Sequence, residues 1–164
     1  RGINPTDRAA VAEVARAVSL DVTRSGCLVD GEDASVAIRG PEVTGAVSAV
    51  AANPDVRVEM VARQRKWVTE LGGGVMEGRD IGSVVFPDAE VKVYLTASPE
   101  VRAQRRAAEV PGLDVDAAAA DIRRRDEADS SRTASPLVTA DGAQVLDTSE
   151  LTVDGVVDAI VEML

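Results

Sequence analysis

Apolar residues recur along the first segment at a helical interval. Val11, Val14, Ala15 and Val18 fall at i, i+3, i+4 and i+7, one stripe of a helix over residues 6–18. Pro5 and Thr6 stand where such a helix starts. The pattern then shortens. Residues 19–22 and 27–29 read as short strands around the polar turn 23–26, which predicts a small hairpin. Gly31, Glu32 and Asp33 read as another turn, followed by Val36, Ala37 and Ile38. Pro41 opens a helix that runs to about Ala52. Asn53-Pro54 breaks it, because the residue before a proline avoids helical geometry. A third helix runs from Pro54 to about Leu71, with Val61 and Trp67 among its apolar positions, and Gly72-Gly73-Gly74 is a flexible joint.

Three later runs, residues 74–77, 91–96 and 144–147, are short and β-branched, as buried parallel strands are. Helical pattern separates each from the next. Ser98 is a good helix cap and Pro99 suits a first helical position. Pro111-Gly112 interrupts that helix, and another follows to about Asp126, with the alanines at 117–120 as filler. Residues 126–136 are polar and read as a loop. The last helix, residues 152–163, shows Val153, Val156, Val157, Ile160 and Val161 on one face. Strand–helix alternation predicts an α/β sheet covered on both faces.

Composition narrows the chemistry. The 164 residues can hold one domain with a real core. No apolar run approaches the roughly 18 residues of a spanning helix, and residues 1–5 do not read as a signal peptide. A cytoplasmic protein with no membrane partner is the expectation. There is one cysteine, Cys27, and no histidine, so zinc sites and Ser-His or Cys-His nucleophile pairs lose their usual members. No metal ligands are assigned. The net charge of -10 disfavours long nucleic acid as a partner. Yet 7 of the 18 basic residues fall between Arg102 and Arg132, and all are arginine: 102, 105, 106, 123, 124, 125 and 132. Arginine suits a planar grip on phosphate or carboxylate, although a solvated helix face with i,i+4 pairs gives the same pattern.

Two charged constellations stand out. Glu77-Gly78-Arg79-Asp80-Ile81-Gly82 follows a predicted strand, and ligands in α/β sheets bind beyond the carboxyl ends of strands. A turn with a local ion pair explains it equally well. Arg125-Asp126, Asp129 and Arg132 form the second. They could grip a sugar and a phosphate, or make a surface network. Ser48 and Arg57 flank the Asn53-Pro54 break and mean little by themselves.

Taken in order, these segments resemble the bacterial cytidylate kinase family through nearly the whole chain. The resemblance is densest from Gly31 to Pro136. It is carried by Gly31-Glu32-Asp33-Ala34-Ser35, Ile38-Arg39, Glu42-Val43, Ser48-Ala49-Val50-Ala51, Pro54-Asp55-Val56-Arg57 and Gln64-Arg65. The most telling stretch is Glu77-Gly78-Arg79-Asp80-Ile81-Gly82-Ser83-Val84-Val85-Phe86-Pro87-Asp88-Ala89. Lys92, Leu95, Arg102-Ala103, Arg105-Arg106, Arg125-Asp126, Asp129 and Arg132 complete the set. Ser83 departs mildly, since threonine is common there.

The resemblance implies a three-layer nucleoside monophosphate kinase fold with a parallel sheet and a lid. It also implies a small β-rich insert, which residues 19–38 fit. The whole chain, 1–164, would be one kinase domain, with a CMP-binding region near 19–56 and a lid near 102–126. The implied reaction moves the γ-phosphoryl group of ATP, carried with Mg2+, to CMP or dCMP, in a monomer. Ser48, Arg57 and Asp80 would read the cytosine. Arg125 and Asp129 would hold the sugar hydroxyls, and Arg79 and Arg132 the acceptor phosphate, with Arg79, Arg125 and Arg132 serving catalysis. Arg102, Arg105 and Arg106 would lead into the lid, one or more reaching the ATP phosphates. The family's first strand and glycine-rich phosphate loop have no counterpart in residues 1–164, so they are expected N-terminal to Arg1. Residues 22–25 and 109–111 also read a few positions short. Two other readings remain: a CMP-binding module or fragment without phosphoryl transfer, and a kinase of this fold acting on another acceptor such as UMP or shikimate.

Overall fold

The computed structural model describes residues 2–23 and 26–164. The chain divides into two compact units, residues 1–74 and 75–164. The division follows the glycine joint. Gly72, Gly73 and Gly74 all have positive φ, at 74°, 133° and 157°, which side chains with a Cβ rarely adopt.

In the first unit, helix α1 spans Arg8–Ala17. It starts later than the sequence suggests, because Asp7 is the cap: its carboxylate accepts from the Ala10 N–H at 3.1 Å. Strands β1 (Leu20–Thr23) and β2 (Gly26–Val29) pair antiparallel as expected, from Leu20 opposite Val29 to Thr23 opposite Gly26. Residues 24 and 25, where the chain reads short, lie outside the described residues. The following turn is not at 31–33. Asp30 and Gly31 both have positive φ and make the reversal, so that Glu32–Asp33 becomes strand β3 against β2. Residues Ala37–Arg39 form one 3-10 turn.

Helices α2 (Pro41–Ala51) and α3 (Pro54–Leu71) meet at Asn53. This buried side chain does two jobs. Its carbonyl accepts from the Asp55 N–H at 3.1 Å, capping α3, and its amide donates to the Arg8 carbonyl at 2.9 Å, tying in α1. Val11 and Ala12 of α1 then close on Val56 of α3, with Ala15, Val50 and Met60 around them. Arg63 completes the unit. Its guanidinium donates to the carbonyls of Val18 (2.7 Å), Ala15 (2.8 Å) and Arg16 (3.2 Å), and pairs with Glu59 at 2.6 Å. The Ala15 and Arg16 carbonyls are among the last of α1, which have no partner inside the helix, and Val18 is the residue that caps it. Arg63→Ala should therefore lower the stability of this unit by roughly 1.5–3 kcal/mol, the usual range for hydrogen bonds to a charged group. Thermal melting checks this, and an unchanged midpoint would show that water replaces the guanidinium.

The second unit holds a parallel pair, β4 (Val93–Thr96) and β5 (Gln144–Asp147), in register from Val93 with Gln144 to Thr96 with Asp147. Helices α4 (Pro99–Glu109), α5 (Val115–Ser131) and α6 (Val153–Val161) accompany it. Two expectations fail here. Residues 74–77 are not a strand, since no described strand pairs with them and Val75 is 90% exposed. Residues 126–131 are not loop but the last turns of α5. The charged side chains there find partners on other elements, which holds the helix beyond what their polarity suggests. The alanines at 117–120 are more than filler, as Ala118 of α5 and Ala103 of α4 are buried where these helices pack.

Candidate active site

The Glu77–Gly82 segment ends in an unusual turn. The Asp80 carbonyl accepts from both Val84 N (2.9 Å) and Val85 N (3.2 Å), and the Ile81 carbonyl from Phe86 N (2.7 Å). Residues Ile81–Val85 thus form a π-helical turn, a feature frequent at functional sites. Gly82 lets it pack closely, since a Cβ there would stand 3.3 Å from both the Ala140 Cβ and the Lys92 Cδ. The buried Val85 anchors it. Asp80, only 5% exposed, sits at its head.

The two charged constellations read separately in the sequence form one network. Arg79 Nη1 lies 2.6 Å from Asp126 Oδ1, and Arg79 Nε 3.4 Å from Asp129 Oδ2. Asp129 Oδ1 in turn lies 3.3 Å from Arg132 Nη1. Arg132 also donates from Nε to the Ser135 carbonyl. Its side chain is only 8% exposed, so the reading of Arg132 as a solvated surface arginine does not hold. Arg125 and Asp129 are four residues apart on one face of α5, and Arg132 follows as the extended residue that ends the helix. Arg125 pairs with Asp121, one turn back.

Arg102 of α4 joins the same network, with Nη2 2.7 Å from Asp126 Oδ2. Burial alone would raise the Asp126 pKa. The hydrogen bonds and charges of Arg79 and Arg102 outweigh it and hold the carboxyl below its ordinary value. A depressed carboxyl contributes stability above its unfolded pKa of about 3.9, and loses it as pH falls through the folded value. Asp126→Asn should therefore cost stability at neutral pH and cost nothing once acid has protonated the wild-type group. Melting curves on a descending pH series check this, and a gap of constant size would remove Asp126 from the ion pairs.

The other two α4 arginines differ. Arg105 donates to the Thr148 hydroxyl (2.9 Å), the Thr148 carbonyl (2.6 Å) and the Leu151 carbonyl (3.3 Å), while Thr148 Oγ1 donates to the Thr96 carbonyl at 2.9 Å. It fastens α4 to the carboxyl ends of β4 and β5. Arg106 makes one looser pair, 3.6 Å to Glu109, and its buried Nε has no hydrogen-bond partner among the described residues.

Ser48 and Arg57 belong to the other unit. Ser48 is in the last turn of α2 and Arg57 in the first turn of α3, on either side of the Asn53 cap. Among the described residues no group of three or more His, Cys, Asp or Glu could hold a metal ion, and no helix is long and apolar enough to cross a membrane.

The family model described as Cytidylate kinase matches residues 1–164. The chain belongs to the cytidylate kinase family. Curated relatives agree along its length. It is 47% identical over 172 residues to a cytidylate kinase of Corynebacterium glutamicum, covering 100% of this chain and 75% of the relative. It is 49% identical over 165 residues to one of Rhodococcus jostii, covering 96% and 72%, and 45% identical over 168 residues to one of Streptomyces avermitilis, covering 99% and 73%. The cytidylate kinase resemblance read from the motifs is thus borne out. Sequence reasoning quoted Asp126 but assigned it no role, and it missed the anchoring of Arg105. The signal for Asp126 was its place beside Arg125. Nothing in the chain marks Thr148 as the partner of Arg105.

Proposed function

We propose that the chain is a (d)CMP kinase, transferring the γ-phosphoryl group of ATP to CMP or dCMP and releasing ADP with CDP or dCDP. The family match over residues 1–164 carries this reading. The arginine network of the second unit supports it. An oxygen of the acceptor phosphate attacks the γ-phosphorus, and the bond to the β,γ-bridging oxygen breaks. Little covalent chemistry falls to the protein, whose work is positioning and charge neutralisation.

Ser48, Arg57 and Asp80 read the cytosine. Its amino group donates to carboxylate, and its N3 and O2 accept from arginine, whereas uracil reverses two of these groups. Arg125 and Asp129 hold the sugar hydroxyls, and Arg79 and Arg132 the acceptor phosphate. Of the lid arginines, Arg102 and Arg106 are the better candidates for the ATP phosphates, since Arg105 already fastens α4 to the strand ends. Mg2+ would ride on the ATP phosphates, its usual partners in kinases, and would neutralise their charge. Residues 102–126 form a lid that excludes water. The protein works as a cytoplasmic monomer within a three-layer phosphate-loop fold. No observation favours a CMP-binding module without transfer.

An acceptor screen with ATP tests the reading. Transfer to CMP and dCMP well above UMP or shikimate is expected. Equal transfer to UMP, or none to CMP, would overturn it.

A further inference from the structure

Asp126 is shared. Its two carboxylate oxygens each take one guanidinium, Arg79 at 2.6 Å and Arg102 at 2.7 Å. Three separate elements meet on that one group: the segment before the π-turn, α4 and α5. The exposures are graded. The Asp126 side chain is 26% exposed, against 39% for Arg79 and 37% for Arg102. The carboxylate is thus the covered centre, and both guanidiniums keep an open side. Arg79 also faces Asp129, in a longer pair at 3.4 Å.

We propose that Asp126 is a positioning residue that couples the acceptor-phosphate arginine Arg79 to Arg102 on α4. The inference rests on the phosphate-binding reading of Arg79. One negative charge divided between two cations holds each less firmly than it would hold either alone. When an anion draws Arg102 away, Asp126 turns fully to Arg79. When Arg102 returns, Arg79 is freer to take a phosphate. The state of α4 is therefore felt at the acceptor phosphate with no direct contact, and the effect is reciprocal, as any equilibrium coupling must be.

A double-mutant cycle tests this, read out by CMP affinity. Arg102→Gln leaves Asp126 wholly to Arg79, so CMP binding should weaken by about three- to tenfold. In an Asp126→Asn background the same substitution should change CMP binding by less than about twofold. Equal effects in both backgrounds would overturn the coupling. Side-chain NMR of the ligand-free protein gives a second readout that needs no CMP. Arg102→Gln should shift the Arg79 Nε–Hε resonance when Asp126 is present and leave it in place in the Asp126→Asn background, while Asp126→Glu should restore the shift. An Arg79 resonance indifferent to Arg102 would overturn the proposal. Loss of CMP binding in the wild type, with the NMR coupling intact, would overturn the acceptor reading and uphold the coupling.

Discussion

Arg132→Ala is expected to weaken CMP binding by about two orders of magnitude and to lower stability as well. The two effects have one origin. Arg132 is almost fully covered, and it faces Asp129, itself 12% exposed. Removing the cation leaves Asp129 with Arg79, 3.4 Å away, as its remaining cation, so the loss of stability should fall below the roughly 3–5 kcal/mol of a buried charge left wholly unpaired. If Arg132 holds the acceptor phosphate as proposed, losing those hydrogen bonds, at about 1.5–3 kcal/mol for a charged group, should then appear in affinity. Arg79 is the natural control. It is far more exposed and shares its carboxylates with other arginines, so Arg79→Ala should lower CMP affinity with little change in melting temperature. Neither arginine should matter as much for cytidine, which carries no phosphate. Titrations with CMP and cytidine, alongside melting curves, separate the contributions. Equal losses for cytidine and CMP in Arg79→Ala would show that it does not hold the phosphate.

Asp80→Asn is expected to erase much of the discrimination between CMP and UMP. The carboxylate can only accept a hydrogen bond, which fits the cytosine amino group and opposes the uracil carbonyl at the same place. Asparagine presents an amide that can donate as well, so it no longer rejects uracil. A buried hydrogen-bond mismatch costs about 1–3 kcal/mol, which corresponds to a selectivity change of roughly 5- to 150-fold. The burial of Asp80 at the head of the π-turn places it in the regime where such a mismatch is felt. The isosteric change should leave the turn's backbone bonds in place, because they run to the Asp80 carbonyl, which asparagine keeps. Paired CMP and UMP affinities of wild type and variant are the check, and an unchanged ratio would deny Asp80 the base-reading role.

What could be read from the chain was local. The stripe of α1, the β1–β2 hairpin, the Pro41 and Pro54 helix starts and the Ser98 cap all depend on neighbours a few residues away. They appear in the structure within a residue or two. What could not be read depends on distant partners. Residues 126–131 look like loop until Arg79 and Arg102, 47 and 24 positions upstream of Asp126, are known to hold that helix. Residues 74–77 look like a strand from composition, but a strand needs a hydrogen-bonding neighbour, and none is described beside them. Arg63 carries no local signal, and Arg105 reads as a lid arginine for the ATP phosphates rather than as the fastening of α4. Their carbonyl partners lie more than 40 residues away, and only folding reveals them. The same limit governed the site. Its residue types and order identified the family, whereas the sharing of Asp126 between two arginines emerged from geometry alone.

The proposed acceptor site for cytidine monophosphate can be checked by calorimetric titration of residues 1–164 with CMP and UMP. Saturable binding of CMP, clearly tighter than UMP, is expected. Binding of neither nucleotide, or equal binding of both, would show that the proposed acceptor site is absent.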